Sequence, residues 1–579
     1  MLTGPIFSRE LLTAPRKLRH CLLRSGYVAA LFVLMYTTRQ STIGFQDVQN
    51  IGDIARFGAL VFQVFSIIQL TLVLFFSLLF TASNIAQEKD RGTLVLLLMT
   101  DLRDRELVLG KLGAGLLVVG VLLATSAPVF CLLHMLGGVG LDQILWSLAL
   151  CAATALAAGS WGALVAFWRE KTFQTLAISV LGVVLFVGAI EGVVRIVGPE
   201  TMLGSTVALF NPYRSLADLL NPLAAAGLEP ARVTALAPVL ALLGFAVTLV
   251  LFTMNRLRVW NPSQAVMQRA AETDAAAAEF GRVRHRRIWN NPVIWREMRT
   301  RAYGHKVALI KLCYVALAMF VAYSVIGSPP RGELVLGMIS PAGFAFVGLG
   351  VLSLLLINAQ AVTSLTSERD MKTLELLLVT DISAREFIYG KIGGALYNAR
   401  ETILIPLALV VYYSVTGFVP ELSVENLIYV VVGFLSLVFF ATMLGLHSGL
   451  SFDNSRAGIT NSLGTIFFLF IGIFIFMILL VEARSSFALQ LQSFLVFIGA
   501  GSIGLYASLT HKNPSNALTL AAGLLPFLTF YAITEFFLQG TLGVCLWITV
   551  AYGFTTIAML VPAISDFDVV LGRTTLDKG

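Results

Sequence analysis

The chain has 579 residues, of which 57% are hydrophobic and 13% charged, and its mean hydropathy is +0.84. The charged fraction is about half that of a soluble globular protein, which excludes a water-soluble fold and points to a polytopic membrane protein, because a helix crosses the hydrocarbon layer with roughly 20 apolar residues. The net charge of +7 and pI of 9.2 follow from basic loops beside anionic lipid; without a basic soluble domain they do not imply nucleic acid.

In chain order, Met1 to Arg24 carries five basic residues and leads into an apolar run that ends at Arg39 without a small-residue cleavage pattern. This predicts an uncleaved first span. Spans are expected near 22–38, 58–84, 112–136, 143–168, 173–197 and 233–254, followed by a polar linker. The second half repeats the order near 307–327, 341–365, 398–418, 426–449, 460–481 and 541–565. The expected fold is an all-α integral membrane protein with two tandem six-helix transmembrane domains and about 12 spans, residues 1–255 and 291–579, joined by a linker over 256–290. Two more apolar stretches, 487–508 and 518–538, read as re-entrant or interfacial segments or as an extra pair that raises the count to 14, the second being interrupted by Pro526 and Glu535.

With the amino terminus inside, 32 of the 40 Lys and Arg fall on the cytoplasmic side and 8 outside, the bias expected of cytoplasmic loops. Both termini and the linker are then cytoplasmic, in a multi-pass protein of the cytoplasmic (inner) cell membrane. Within the linker, the Ala-rich run Ala265 to Phe280 precedes Arg282, Arg284, His285, Arg286 and Arg287, a solvated positive flank close to the lipid surface. The five cysteines, Cys21, Cys131, Cys151, Cys313 and Cys545, form no CxxC pair, and the six histidines are dispersed. No disulfide framework or metal site is expected.

Residues 86–116 align without gaps onto 366–396 with 15 identities in 31 positions. The shared residues include Glu88 with Glu368, Asp90 with Asp370, Thr93 with Thr373, Leu94 with Leu374, Asp101 with Asp381, Arg105 with Arg385, Glu106 with Glu386, and Gly110-Lys111 with Gly390-Lys391. Charged and turn residues make this a duplication rather than a coincidence of apolar composition. A second match pairs Pro5, Arg9 and Glu10 with Pro292, Arg296 and Glu297, each just before the first span of its half. A weaker dipeptide match joins Asn211-Pro212 to Asn513-Pro514. Six spans per half make the repeats parallel, an arrangement that encloses a central pathway.

The repeated segment is a loop between spans two and three. Its leucine runs, Thr93 to Met99 and Thr373 to Val379, are too short to cross and suit a short docking helix. Asp101 and Asp381 are expected to cap the helix that follows, and Ser383 with Glu386 makes a capping box.

These motifs resemble the ABC-2 class of ABC transporter permeases: Pro-x-x-x-Arg-Glu before span one, six spans per half, and Glu-x-x-x-x-Thr-Leu-x-Leu-Leu-Leu followed by Thr-Asp and Gly-Lys. The resemblance implies that Pro5, Arg9, Glu10 and Pro292, Arg296, Glu297 lie on connecting helices. It implies that Glu88, Thr93, Leu94, Asp101, Arg105 and Glu106 form one coupling contact with an ATPase subunit, and Glu368, Thr373, Leu374, Asp381, Arg385 and Glu386 the other. Lys372 in place of Gly92, and the long 482–540 region, depart from equivalence of the halves.

No GxxxxGK[ST] phosphate loop occurs, since Arg105 and Arg385 stand where its first glycine is needed. The chain is therefore expected to be no enzyme and to bind no cofactor, with ATP and Mg on separate ABC ATPase subunits, two by the count of loops. Without an importer-type loop or a large external domain, export is favoured. Hydrophobic drugs, lipids, lipid-linked glycans and small peptides are all compatible substrates. An ion-coupled secondary transporter is the alternative, with Glu191 and Arg195 as one possible pair and Arg400 and Glu401 at the inner end of a long helix, but midplane carboxylates are not evident. A non-transporting membrane scaffold is the other alternative.

Overall fold

The structure, a computed structural model, describes residues 4–13, 18–44, 50–220, 231–261, 289, 291–299, 307–326, 334, 339–374, 382–416, 423–482, 487–512 and 515–570. The linker between 262 and 288, with its Ala-rich run and arginines, lies outside the described residues, as do Asp381 and Asn513-Pro514.

Apolar runs with few helix breakers fold as helices throughout, because in lipid each backbone N–H and C=O needs a partner within its own segment. The first half contains α1 (Gly4–Thr13), α2 (Leu18–Thr42), α3 (Ile51–Asp90), α4 (Thr93–Leu98), α5 (Asp104–Leu136), α6 (Leu141–Trp168), α7 (Thr172–Val197), α8 (Met202–Ala208), α9 (Pro212–Leu220) and α10 (Ala231–Trp260). The second contains α11 (Pro292–Arg299), α12 (Val307–Ile326), α13 (Pro341–Asp370), α14 (Ala384–Asn398), α15 (Arg400–Val415), α16 (Val424–Ser451), α17 (Ser455–Glu482), α18 (Phe487–Leu509), α19 (Asn516–Phe537) and α20 (Thr541–Val570).

Among the described residues 13 helices are long and apolar enough to cross a membrane, or 14 if the bent pair α14–α15 is one span. Six belong to the first half; the surplus lies in the second, where α18 and α19 are both of spanning length. Those two stretches therefore favour the extra pair over interfacial segments. The bend of 54° between α14 and α15 falls at Ala399. Arg400 and Glu401 thus sit at a break inside the third helical segment rather than at its inner end, with Glu401 held by Lys311 at 2.7 Å and Arg400 at 3.2 Å.

Packing divides the chain into two compact units, one of Met1–Val28 with Phe65–Trp295, the other of Ala29–Val64 with Arg296–Gly579. Helices α2 and α3 each contribute residues to both. Within the second unit Ser493 Oγ donates to the Gln40 carbonyl at 3.2 Å, tying the end of α2 to α18.

Each unit is closed by the same kind of crossing. A Cβ on Gly162 of α6 would lie 2.9 Å from the Leu78 carbonyl oxygen of α3, and one on Gly445 of α16 would lie 2.9 Å from the Asn358 carbonyl oxygen of α13. Small residues let helices approach closely where lipid supplies no hydrophobic drive between them. Gly445→Leu is therefore expected to lower the thermal melting point, overpacking of this kind costing about 1–3 kcal/mol or more.

Candidate functional site

The turn that opens the duplicated loop is built alike in both units; residues 375–381, most of the second leucine run, lie outside the described residues. α3 stops because Gly92 turns left-handed, with φ of 71°, a conformation glycine adopts without strain. Thr93 Oγ1 then donates to the Glu88 carbonyl at 3.2 Å, and α4 begins. In the second copy Lys372 occupies the same turn with φ of 57°, and Thr373 Oγ1 donates to the Glu368 carbonyl at 3.0 Å. The departure at Lys372 thus changes the side chain while the turn is kept. A left-handed L-residue costs roughly 1–2 kcal/mol, so Lys372→Gly is expected to stabilise the protein by somewhat under about 1 kcal/mol once glycine's extra unfolded-state freedom is deducted; a melting curve checks this.

α4 is pinned by Leu94, buried with Ile85, Leu107, Phe167 and Leu257. Its outer side leaves Leu96 62% and Met99 72% exposed. The next helix opens at Asp104 with Arg103 as N-cap, and the Arg103 N–H donates to Glu106 Oε2 at 3.1 Å. Asp101 therefore lies two residues before the cap and does not form it. In the second copy Ser383 caps α14 as expected: the Glu386 N–H donates to Ser383 Oγ at 3.2 Å, and the Ser383 N–H donates to Glu386 Oε2 at 3.1 Å.

The candidate residues then separate into two groups. Thr93, Asp101 and Arg105, with Thr373, Arg385 and Glu386, are exposed, while Glu106 and Leu374 are half-buried. Glu88 and Glu368 instead turn inward. Glu88 forms an ion pair with Lys111, 23 residues on, whose side chain is buried. Glu368 takes Lys391 at 2.8 Å and is also bonded by Arg296. Lys391, 1% exposed, holds Glu297 at 2.7 Å and donates to the Ser364 carbonyl at 3.2 Å. Burial pushes the Glu297 carboxyl up, but Lys391 and Arg296 outweigh it and hold it below the usual carboxylate range.

This cluster joins α11, α13 and α14 through charge. Asn398 Nδ2 also donates to the Glu297 carbonyl at 3.1 Å, and a Cβ on Gly394 would lie 2.5 Å from Glu297 Cβ. In the first unit α1 packs on α5 with the Phe7 ring against Gly113, where a Cβ would come within 2.7 Å; Pro5, Arg9 and Glu10 are exposed. Pro292 is exposed on α11. The part played by Lys111 and Lys391 escaped the reading of the sequence, though Glu and Lys recur at one spacing in both copies.

Elsewhere, Glu191 pairs with Arg214, whose Nε and Nη2 both lie 3.1 Å from its carboxylate, and not with Arg195. No group of His, Cys, Asp or Glu able to hold a metal occurs among the described residues.

The described residues form a helical polytopic membrane protein with a duplicated, charge-anchored loop. Residues 32–254 match the family model described as ABC-2 family transporter protein, a match that together with the many apolar helices supports an ABC-2 type permease. No curated protein and no solved structure matches it. Permeases of that family are membrane transport components and associate generally with ABC ATPase subunits.

Proposed function

We propose that the chain is the membrane-spanning subunit of an ATP-driven exporter, with one ABC ATPase subunit docked at each copy of the repeated loop and ATP and Mg held by those subunits. Both termini and the linker then face the cytoplasm, in the inner cell membrane. The observation that carries this reading is the exposure of Leu96 and Met99 on a six-residue helix whose Leu94 is locked in the core. Exposed apolar side chains on a rigid support suit a partner's pocket. Exposed Asp101 and Arg105, with Thr373, Arg385 and Glu386 in the second copy, supply a polar rim.

The inward residues give the loop its mechanical role. The Glu88–Lys111 pair ties the end of α3 to the start of α5, so a push on α4 moves both spans rather than folding the loop away. Lys391 does the same for α13 and α14 and adds α11.

The test uses the tagged full chain expressed with an ABC ATPase subunit. Leu96→Glu with Met99→Glu should lower co-purified ATPase by at least about tenfold, the loss of one interface hot spot, with unchanged melting and elution. The chain alone should hydrolyse no ATP. Undiminished ATPase recovery from the double variant would overturn the docking assignment.

A further inference from the structure

The duplication extends to a cavity that only one copy keeps. In the first unit a space of about 330 Å³ lies among α3, α6, α7 and α10. Its counterpart in the second unit, among α13, α16, α17 and α20, is about 10 Å³. The correspondence rests on matched ends: α6 and α16 are each 28 residues, and their C-caps Arg169 and Phe452 are both extended and bond back four residues, to Val165 and Ser448. Laying Arg169 on Phe452 puts Ala157 on Phe440. Matching the first residues of α7 and α17, and of α10 and α20, puts Val187 on Phe470 and Leu242 on Tyr552. All six line their respective spaces. Phe440 packs edge-on against Tyr552 with ring centroids 5.0 Å apart, so the second copy carries its own plug.

Among the described residues that line the open copy, the side-chain donors of Thr154 and Trp161 are both taken. Thr154 Oγ1 is spent on the Leu150 carbonyl at 2.7 Å, and Trp161 Nε1 on the Ser179 carbonyl at 3.2 Å. An apolar cavity without polar partners stays dry. Ala157, Val187 and Leu242 lie in the middle third of their helices, at hydrocarbon depth, where the surrounding medium is acyl chain. At one end Pro212 leads into a polar collar of Asn211, Arg214 and Glu191, with Asn211 Nδ2 at 3.5 Å and the Arg214 nitrogens at 3.1 Å from the Glu191 carboxylate. The volume is at the lower end of the range of ligand sites.

We propose that this first-unit cavity binds one acyl chain of a bilayer phospholipid, its headgroup at the Arg214–Glu191 collar, and that the second unit is closed to lipid by Phe440, Phe470 and Tyr552. This inference stands apart from ATPase docking and survives its failure.

The experiment reconstitutes the full chain in phosphatidylethanolamine–phosphatidylglycerol vesicles, re-extracts it in mild detergent and measures retained phospholipid by native mass spectrometry. The wild type should retain one lipid per chain. Ala157→Phe, which copies the plug, should reduce occupancy by at least about tenfold, the effect of a binding loss of 1.4 kcal/mol or more. If Ala157→Phe fails to fold, Val187→Phe, at a half-buried wall position, decides in its place. The reciprocal Phe440→Ala with Phe470→Val should add a second retained lipid. A wild type without retained lipid, retention unaffected by the plugging variants, or displacement of lipid by a non-lipid apolar compound native to the membrane would each overturn the proposal.

Discussion

Replacing Lys391 by Met is expected to destabilise the protein by about 3–5 kcal/mol, the cost of leaving buried carboxylates without their cation. Lys391 is 1% exposed, and Glu297, 2% exposed, and Glu368 both depend on it. The thermal melting point in detergent checks this. Because the damage is the uncompensated charge rather than the lost methylenes, Glu297→Gln in the Lys391→Met background should recover part of the loss. Arg296 still neutralises Glu368 in that double variant.

The pH dependence should reverse between the two proteins. In the wild type the Glu297 carboxyl is held below its ordinary 4.5 after burial is offset by Lys391 and Arg296. The stability so contributed is complete above the unfolded value and is lost as pH falls through the lower folded one. Without Lys391, burial prevails and raises the carboxyl, so the variant regains stability on acidification where the wild type loses it. Melting curves collected from neutral pH to below pH 4.5 distinguish the two slopes; parallel slopes would show that Lys391 does not set the Glu297 charge.

Charge reversal at Glu88 is the second large effect. Glu88→Lys sets a cation against Lys111, which is buried and has Glu88 as its ion-pair partner. With Glu88 partly solvated, the expected loss is about 2–4 kcal/mol, below the full penalty of a dry pair. The exchanged pair, Glu88→Lys with Lys111→Glu, should restore most of it, since the same two positions again carry opposite charges. If Glu88→Lys left the melting point unchanged and abolished ATPase binding instead, Glu88 would face the partner and the internal tie would be wrong.

The duplicated loop shows what could be read directly. Its capping box at Ser383 and Glu386 depends on residues within a few positions and takes the expected form. Asp101 did not, because the helix starts two residues later than expected, with Arg103 at the cap and Glu106 reaching back to the Arg103 N–H. The inward turn of Glu88 and Glu368 was not legible, as charge in a loop reads equally as a docking surface or as half of a buried pair.

By itself the sequence determined the membrane class, the helical spans and the duplication, since hydropathy and turn chemistry act locally and lipid enforces continuous helix. Only the tertiary structure decided that residues 29–64 pack with the second unit, that Lys111 and Lys391 anchor the loops, and that one copy of a shared cavity is open. The physical reason is that lipid tails are as apolar as the spans themselves. Hydrophobicity therefore places a helix in the membrane without choosing its neighbours; shape does that, through Gly162 and Gly445 at the crossings and Ala157 against Phe440 at the cavity.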